Sequence, residues 1–308
     1  MKNVKRLIIV YSPRSARFEE VQKKVIEKAR KLPGWIICKF EVEEVPVQEN
    51  ATKLAKILRK DDLVLSAGGD GTASMCLNAI LKSNTLATLS VMPFGNFNDY
   101  AETLGRMSLA KIIRKFEEGR WTSFYPMEIK VNERHYIYSG MYFTIGLMAE
   151  AERIFKKPKI RAKLTKARSR MSFSARKLFS WYLKNKRRKD FLPTYLKINN
   201  KNVVKNTTDY VAMNGKSMAG VVPGKGWFTR SDIFWSGTMR NRSFWRMLAK
   251  FIKATEGELP GKETSYDVLE FTKPCSIFVH AEGEGEELKN ISKIEVKKPT
   301  KSLRIITE

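Results

Sequence analysis

The chain has few of the residue types that build disulfide frameworks and histidine metal sites. It contains three cysteines, Cys38, Cys76 and Cys275, and two histidines, His135 and His280, in 308 residues. The cysteines cannot all pair and show no metal-ligand spacing, which excludes a disulfide scaffold and indicates a reducing compartment. Two histidines are too few for a His-rich zinc site.

The sequence also lacks a long apolar run. The N-terminus is basic, but the apolar stretch that follows it extends only from Leu7 to Tyr11. A helix that spans a bilayer needs about 20 apolar residues, and a stretch this short does not form the core of a signal peptide either. We therefore expect a cytoplasmic protein that is soluble or peripherally attached to a membrane.

Acidic residues are scarce relative to basic ones. Lys and Arg total 58 against 32 Asp and Glu, which gives a formal net charge of +26. Such a charge needs a polyanionic partner, which is nucleic acid, an anionic membrane surface or a phosphorylated ligand. Residues 153–189 contain 16 Lys or Arg and no acidic residue, interleaved with aromatic and aliphatic side chains. This segment is interpreted as a solvated face, a nucleic-acid patch or an interfacial helix on anionic lipid.

Strand-like and helix-like segments alternate in the first third of the chain. Helical spacing separates the apolar runs, for example over Phe18–Leu32 and Ala73–Leu81. The alternation predicts an α/β domain with a Rossmann-like parallel sheet over residues 1–124. The runs that predict its buried strands are Leu7–Tyr11, Trp35–Phe40, Leu63–Ala67 and Ala87–Met92.

The pattern changes after residue 124 to short runs in which apolar and polar residues alternate. These runs predict an antiparallel β-sandwich domain over 125–293, with the basic segment 153–189 as a helical insertion. Val268–Phe271 and Ser276–Ala281 are predicted as two separate strands of that domain. The last segment, 294–308, fits either domain.

A glycine-rich turn follows the third predicted strand. It is Gly68-Gly69-Asp70-Gly71-Thr72, and its glycines let backbone N–H groups approach phosphate oxygens closely. Thr72 is expected to cap the following helix, whose N-terminus favours an anion. Asp70 adds a carboxylate suited to holding Mg²⁺ or accepting a proton. The alternative is a plain glycine-rich turn of a Rossmann-like domain.

A second turn, Pro93–Ala101, follows the fourth predicted strand and contains Gly95, Asn98 and Asp99. In a parallel α/β sheet both turns lie at the carboxyl ends of their strands, where ligands bind. An Asn-rich loop with Asx turns is the structural alternative for this segment. The pairing of the two turns predicts a phosphate-binding site.

Together the two turns resemble the diacylglycerol kinase catalytic-domain superfamily, which includes bacterial lipid kinases and the sphingosine and ceramide kinases. Further similarity lies in Tyr11–Ser15, Thr144–Glu150, Val211–Gly215 and Ala281–Glu284. The resemblance implies ATP-dependent phosphorylation of a lipid hydroxyl, of diacylglycerol or a similar lipid, at a membrane surface. It implies ATP and Mg²⁺ as cofactors, and a lipid substrate and an anionic membrane as partners.

The resemblance also implies roles for individual residues. Asp70 and Glu284 would be catalytic, with Glu286 as the base in an alternative register, and Asp70 and Asp99 would hold the metal. The nucleotide would be bound by Ser12, Gly68, Gly69, Gly71, Thr72, Gly95, Asn96, Asn98 and Asp99.

The resemblance favours the membrane interpretation of the basic segment, because a lipid kinase must reach its substrate at a membrane. We do not expect nucleic acid to be the partner, and the sequence leaves a homodimer open. The expected membrane-binding residues are Lys156, Lys157, Arg168, Arg170, Trp181, Lys186, Arg187 and Arg188.

The sequence departs from the family pattern at several positions. Ser12 stands where the family has Asn, Asn96 where it has Thr, and Glu282 where the late motif begins with Asp. An alternative is therefore a catalytically weak relative that binds nucleotide and anionic membrane. A NAD kinase-like enzyme, which shares the first turn, ranks lower, because it would be expected to have an Asn-Glu pair in place of Asn98-Asp99.

Overall fold

The computed structural model of the chain describes most of its N-terminal and C-terminal parts. It covers residues 5–150 except 14, 16, 96 and 97, and residues 192–308 except 194, 204–206, 219–221, 241–260 and 283. Between these two ranges it covers residues 157, 159, 160, 163, 173, 176, 177 and 180.

The first sheet is the parallel α/β sheet that the sequence predicts. Its strands are β1 (Lys5–Tyr11), β2 (Trp35–Glu41), β3 (Leu63–Gly68), β4 (Thr88–Pro93), β5 (Thr122–Phe124) and the last strand of the chain, β18 (Leu303–Ile305). Their order is β2-β1-β3-β4-β18-β5, and only the pair β18–β5 is antiparallel. The segment after residue 298 thus returns to this sheet.

Helices cover both faces of the first sheet. Alternate residues of β1 face opposite layers, so that Ile8 and Val10 pack with one group of helices and Leu7 and Ile9 with another. The helices are α1 (Phe18–Val21), a π-helical stretch (Gln22–Ile26) and α2 (Glu27–Ala29), then α3 (Val47–Ile57), α4 (Asp70–Ser83), α5 (Asp99–Leu104) and α6 (Leu109–Glu117). Helices α3 and α4 share one layer, and α1, α2 and α6 share the other.

The second sheet contains ten antiparallel strands around its own apolar core. They are β6 (Met127–Val131), β7 (Arg134–Ser139), β8 (Tyr142–Gly146), β9 (Leu196–Ile198), β10 (Lys201–Asn202), β11 (Thr207–Met213), β14 (Phe234–Arg240), β15 (Lys262–Thr264), β16 (Tyr266–Ala281) and β17 (Glu284–Lys297). A separate hairpin joins β12 (Ser217–Met218) to β13 (Val222–Pro223). A parallel α/β domain followed by an antiparallel β-rich domain confirms the predicted fold class.

The prediction of two strands over Val268–Phe271 and Ser276–Ala281 is wrong, because β16 is one strand of 16 residues. Its pairing with β17 shifts register between Glu270 and Cys275. Pro274 lies inside that interval and has no N–H to donate to a neighbouring strand, so it sits where the ladder is irregular. The proline therefore marks a bulge and does not end the strand.

Specific hydrogen bonds join the two sheets. Asn78 of α4 donates to the carbonyl of Tyr138 on β7 and accepts from its amide, both at 2.9 Å. Where the chain crosses back to the first sheet, Lys298 Nζ donates to the Tyr125 carbonyl at 2.8 Å and to Asn214 Oδ1 at 2.5 Å. Within the described part of the chain, no helix is both long and apolar enough to cross a membrane.

Candidate active site

The two glycine turns touch each other at the carboxyl ends of β3 and β4. The amide of Phe94 donates to the carbonyl of Gly68 at 2.9 Å. A Cβ atom on Gly95 would lie 2.4 Å from the Cα of Gly69, and one on Gly69 would lie 3.1 Å from the Cα of Gly95. The close approach of two backbones therefore requires glycine at residue 95.

Helix α4 begins earlier than the sequence predicts. It starts at Asp70, with Gly69 as the N-cap residue and no side-chain capping bond. The prediction that Thr72 caps this helix is wrong, because Thr72 already lies in its first turn. A Cβ on Gly68 would lie 2.4 Å from the hydroxyl of Thr72, so this side chain packs over the end of β3. Gly71 lies in the same first turn.

The second turn is closed by the side chain of Asn98. Its Oδ1 accepts from the amide of Gly95 at 2.8 Å, and its Nδ2 donates to the carbonyl of Gly95 at 3.0 Å. Asn98 has a φ of +60°, a left-handed conformation that Asn tolerates better than most residues. Asn98 thus shapes the turn through its own backbone and side chain, and Asn96 lies outside the described residues.

Two carboxylates, those of Asp70 and Asp99, lie close enough to interact electrostatically where the turns meet. Burial and the negative charge of Asp99 raise the pKa of Asp70 to about 7, although the amides of Asp99 and Tyr100 donate to its carboxylate. Asp99 is fully buried and its Oδ1 accepts from Ser217 Oγ at 2.5 Å. A nearby cation would stabilise the ionised forms of both carboxylates.

This donor set suits Mg²⁺ bound together with phosphate. Mg²⁺ is typically held by one or two carboxylates, with waters and substrate phosphates completing its coordination. Asp70 and Asp99 supply such a pair beside the partly exposed backbone of Gly69 and Gly95. The described residues contain no group of three or more His, Cys, Asp or Glu side chains arranged to hold a metal ion. A metal at this edge would therefore depend on ligand oxygens as well as on the protein.

The late acidic motif lies on the second domain at the turn between β16 and β17. Glu284 begins β17 and pairs with Ala281, and its side chain lies outside what the structure describes. Glu286 is exposed and pairs with Val279, two residues further from the turn. Glu282, in contrast, is fully buried and accepts from the hydroxyls of Tyr100 and Ser139.

The turn after β1 approaches the same edge. Ser12 follows β1, and its carbonyl accepts from the amide of Ser15 at 3.1 Å. Beyond this turn, Arg17 donates to the carbonyl of Pro93 at 3.4 Å, and its guanidinium lies 5.5 Å from the ring centroid of Phe94. Arg17 therefore brings a positive charge beside the second glycine turn, although it also pairs with Glu20 at 2.8 Å.

Most of the predicted membrane-binding residues fall outside the described part of the chain. Lys157 is described and is exposed. The others, for which the structure gives no position, are Lys156, Arg168, Arg170, Trp181, Lys186, Arg187 and Arg188.

The structure adds residues that the sequence did not assign to the site. Ser217 contacts Asp99, and Glu282 contacts Tyr100 from the other sheet. In the sequence, Tyr100 lies within the second turn, and Glu282 is the position at which the late motif departs from the family pattern. The contact between Glu282 and Tyr100 could not be predicted from local sequence, because the two residues are 182 positions apart and meet only in the fold.

Comparison with known proteins agrees with these features. Residues 6–127 match the family model described as the diacylglycerol kinase catalytic domain. The chain is 33% identical over 111 residues to a diacylglycerol kinase of Bacillus subtilis strain 168 and 30% identical over 103 residues to one of Staphylococcus saprophyticus. These matches span 33% and 32% of this chain and 34% and 33% of the relatives, that is, about a third of their length.

A solved structure is similar over the whole chain. The crystal structure of a diacylglycerol kinase from Bacillus anthracis str. Sterne matches with a TM-score of 0.66 and 17% sequence identity, covering 100% of this chain and 98% of that one. At this identity the similarity shows a shared fold. Both the α/β sheet with its glycine turns and the β-rich sheet therefore belong to one known architecture.

Proposed function

We propose that the chain is an ATP-dependent lipid kinase of the diacylglycerol kinase catalytic-domain superfamily, whose family model matches residues 6–127. It would phosphorylate the hydroxyl of diacylglycerol or a similar lipid at a membrane surface. The observation that supports this most strongly is the contact of two glycine turns beside the paired carboxylates of Asp70 and Asp99. Phosphoryl transfer depends mainly on positioning and charge neutralisation, and this arrangement supplies the parts for both.

The glycine turns would bind the phosphates of ATP. Gly69 and Gly95 are partly exposed where their backbones meet, Gly68 is buried at the end of β3 against Thr72, and Gly71 and Thr72 lie in the first turn of α4. Backbone N–H groups in such a turn bind phosphate oxygens, and the helix N-terminus adds a favourable dipole. Asn98 would hold the second turn in place, with Ser12 and Asn96 as further candidate contacts.

Asp70 and Asp99 would hold Mg²⁺. When bound, the ion neutralises phosphate charge and orients the transferred group. The chain contributes the two carboxylates and keeps Asp99 oriented through Ser217. Because burial and the charge of Asp99 raise the pKa of Asp70, a divalent cation held by these residues would favour their ionised forms.

Glu284 is the candidate general base. It would accept the proton of the lipid hydroxyl as that oxygen bonds to the γ-phosphorus and the bond from that phosphorus to the β–γ bridging oxygen breaks, releasing ADP. Glu284 stands two residues after Glu282, which contacts Tyr100 beside the Asp70–Asp99 pair. Glu286 is two residues further along β17 and so further from this contact, which favours Glu284.

The basic segment 153–189 would attach the enzyme to an anionic membrane, where each nearby Lys or Arg contributes about 1 kcal/mol. Co-sedimentation with vesicles tests this part. We expect binding to vesicles rich in anionic lipid, no binding to neutral vesicles, and release by salt. A variant with Lys186, Arg187 and Arg188 changed to Gln should bind the anionic vesicles more weakly. Stronger binding to nucleic acid than to these vesicles would contradict the assignment.

Phosphate transfer is the test of the enzymatic proposal. The protein is incubated with labelled ATP and Mg²⁺ and with bacterial lipid extract in anionic vesicles, and organic-soluble product is separated by chromatography. We expect a labelled phospholipid with the wild-type protein and none with Gly71→Asp, which places a carboxylate in the first turn of α4. NAD as a soluble acceptor is the comparison arm. Label in NAD and not in lipid would replace this proposal, and nucleotide and vesicle binding without transfer would indicate a weak relative.

A further inference from the structure

Helix α5, which begins at Asp99, is held by the second domain along its length. At its start, Ser217 Oγ donates to Asp99 Oδ1 at 2.5 Å. One turn further on, the amide of Lys216 donates to Thr103 Oγ1 at 2.9 Å. A helix of the first domain that carries a proposed metal ligand is thus fixed by residues of the segment after β11.

A buried carboxylate makes another connection between α5 and the second domain. The hydroxyl of Tyr100 donates to Glu282 Oε2 at 2.5 Å, and the hydroxyl of Ser139 donates to Oε1 at 2.8 Å. The amide of Met141 also donates to Oε1. Glu282 is fully buried, and burial raises its pKa while these donors oppose that rise. One side chain therefore joins α5 to the turn between β7 and β8.

Two glycines of the second domain leave the space that α5 occupies. A Cβ atom on Gly140 would lie 2.4 Å from the hydroxyl oxygen of Tyr100. A Cβ on Gly215 would lie 2.5 Å from the sulfur of Met141 and 3.1 Å from Thr103 Oγ1. The contact is therefore close-packed as well as hydrogen-bonded, so small movements of either side would be felt by the other.

Tyr100 links this contact to the proposed catalytic carboxylate. Its hydroxyl contacts Glu282 in the second domain, and its amide donates to Asp70 Oδ1 at 3.1 Å in the first. A shift of Tyr100 would move the amide bound to Asp70. It would also move Asp99, the preceding residue. Both carboxylates of the proposed metal site thus depend on the placement of one residue.

We propose that Glu282 is a positioning residue, which holds α5 through the Tyr100 hydroxyl and so sets the mutual placement of Asp70 and Asp99 from the second domain. Its effect on transfer rests on the proposed kinase function, whereas its effect on α5 can be measured without any activity. A fixed carboxylate pair is preorganised for charge stabilisation, which loses effect when the groups are loosely held.

Tyr100→Phe tests the proposal because it removes the one hydroxyl and keeps the ring. Hydrogen–deuterium exchange of the amides of Asp99–Leu104 and the transfer rate are measured in the full chain. Losing a hydrogen bond to a charged group corresponds to roughly a tenfold effect or more. We therefore expect exchange in α5 about tenfold faster and kcat at least about tenfold lower, and Glu282→Gln should give the same pattern.

Tyr210→Phe is the matched control. The Tyr210 hydroxyl donates to Asp267 Oδ2 at 2.9 Å, and both residues are buried within the second sheet. This variant should lose stability but keep wild-type α5 exchange and kcat. If Tyr100→Phe behaves like Tyr210→Phe, Glu282 has only a structural role and the inference is wrong. If the wild-type chain transfers no phosphate, the kinase proposal fails, and α5 exchange alone decides the inference.

Discussion

Two aspartates at opposite ends of strand β3 have contrasting surroundings. Asp62, just before the strand, is 2% exposed; its carboxylate lies 3.3 Å from the guanidinium of Arg6 and accepts from the amide of Arg59 at 2.7 Å. Asp70, just after the strand, is partly exposed and faces the carboxylate of Asp99. The amino end of the strand therefore contains a paired charge, and the carboxyl end contains an excess of negative charge.

This difference separates stabilising residues from functional ones. Burial raises the pKa of Asp62, and the amide of Arg59 and the cation of Arg6 offset part of that rise, so the neighbours of this aspartate partly compensate its charge. Like charges that face each other at the open carboxyl end of a parallel sheet destabilise the free protein and become favourable only when a cation binds. Two aspartates that flank one strand thus differ because of the neighbours that the fold brings to them.

The largest expected effect comes from neutralising the carboxyl-end aspartate. Asp70→Asn should lower the rate of phosphate transfer by roughly 100-fold or more, because a preorganised charge at the reacting phosphate is lost. It should not lower the free energy of unfolding, since repulsion with Asp99 is relieved. Transfer assays and urea unfolding measure both quantities. Wild-type turnover by Asp70→Asn would remove Asp70 from the mechanism.

Substitution of a glycine where the two turns pack together should lower both stability and nucleotide affinity. Gly95→Ala places a methyl group 2.4 Å from the Cα of Gly69, so the turns must move apart, with a cost of about 1–3 kcal/mol in unfolding free energy and a loss of nucleotide affinity. The control is Gly34→Ala before β2, where a Cβ would meet no atom within 4 Å. Gly34 has a φ of +74°, so this control tests backbone strain alone. Equal nucleotide affinities in the two variants would contradict the account.

A third aspartate extends the comparison to the second sheet. Asp209 accepts from the amide of Met148 at 2.6 Å, and burial raises its pKa to about 6. Because the folded state keeps this proton to higher pH than the unfolded state, Asp209 should make the unfolding free energy fall as pH rises from about 4 to 6. Asp209→Asn should remove this part of the pH dependence, which amounts to a change in unfolding free energy on the order of 1–3 kcal/mol. An unchanged pH profile would show that Asp209 does not titrate in this range.

The smallest effect is expected at the amino end of β3. Asp62→Asn keeps an acceptor for the Arg59 amide but removes the charge that faces Arg6, so unfolding free energy should fall by about 1–2 kcal/mol. Phosphate transfer should stay within about twofold of the wild-type rate. Comparing the unfolding and transfer data of Asp62→Asn with those of Asp70→Asn gives the sharpest contrast between the two ends. A large loss of phosphate transfer in Asp62→Asn would contradict the proposed difference between the two ends of β3.

Local sequence was sufficient for the parts of this fold that depend on local pattern. The strand runs and glycine turns predicted the parallel sheet and the ends of β3 and β4, because apolar periodicity and glycine placement are encoded in neighbouring residues. The contact of Glu282 with Tyr100 and of Ser217 with Asp99 was missed, since it depends on how two sheets dock. The division of β16 into two predicted strands was wrong because a proline such as Pro274 occurs both at bulges and at strand ends.

ATP is proposed to bind where the two glycine turns meet. Hydrogen–deuterium exchange with and without Mg²⁺ and ATP tests it most directly, because each amide reports its own protection. We expect ATP to slow exchange at Gly69–Thr72 and at Gly95 and Asn98, with little change at the amino ends of β1 and β3. Protection confined to other parts of the chain, or none at saturating ATP, would contradict the assignment of this edge as the nucleotide site.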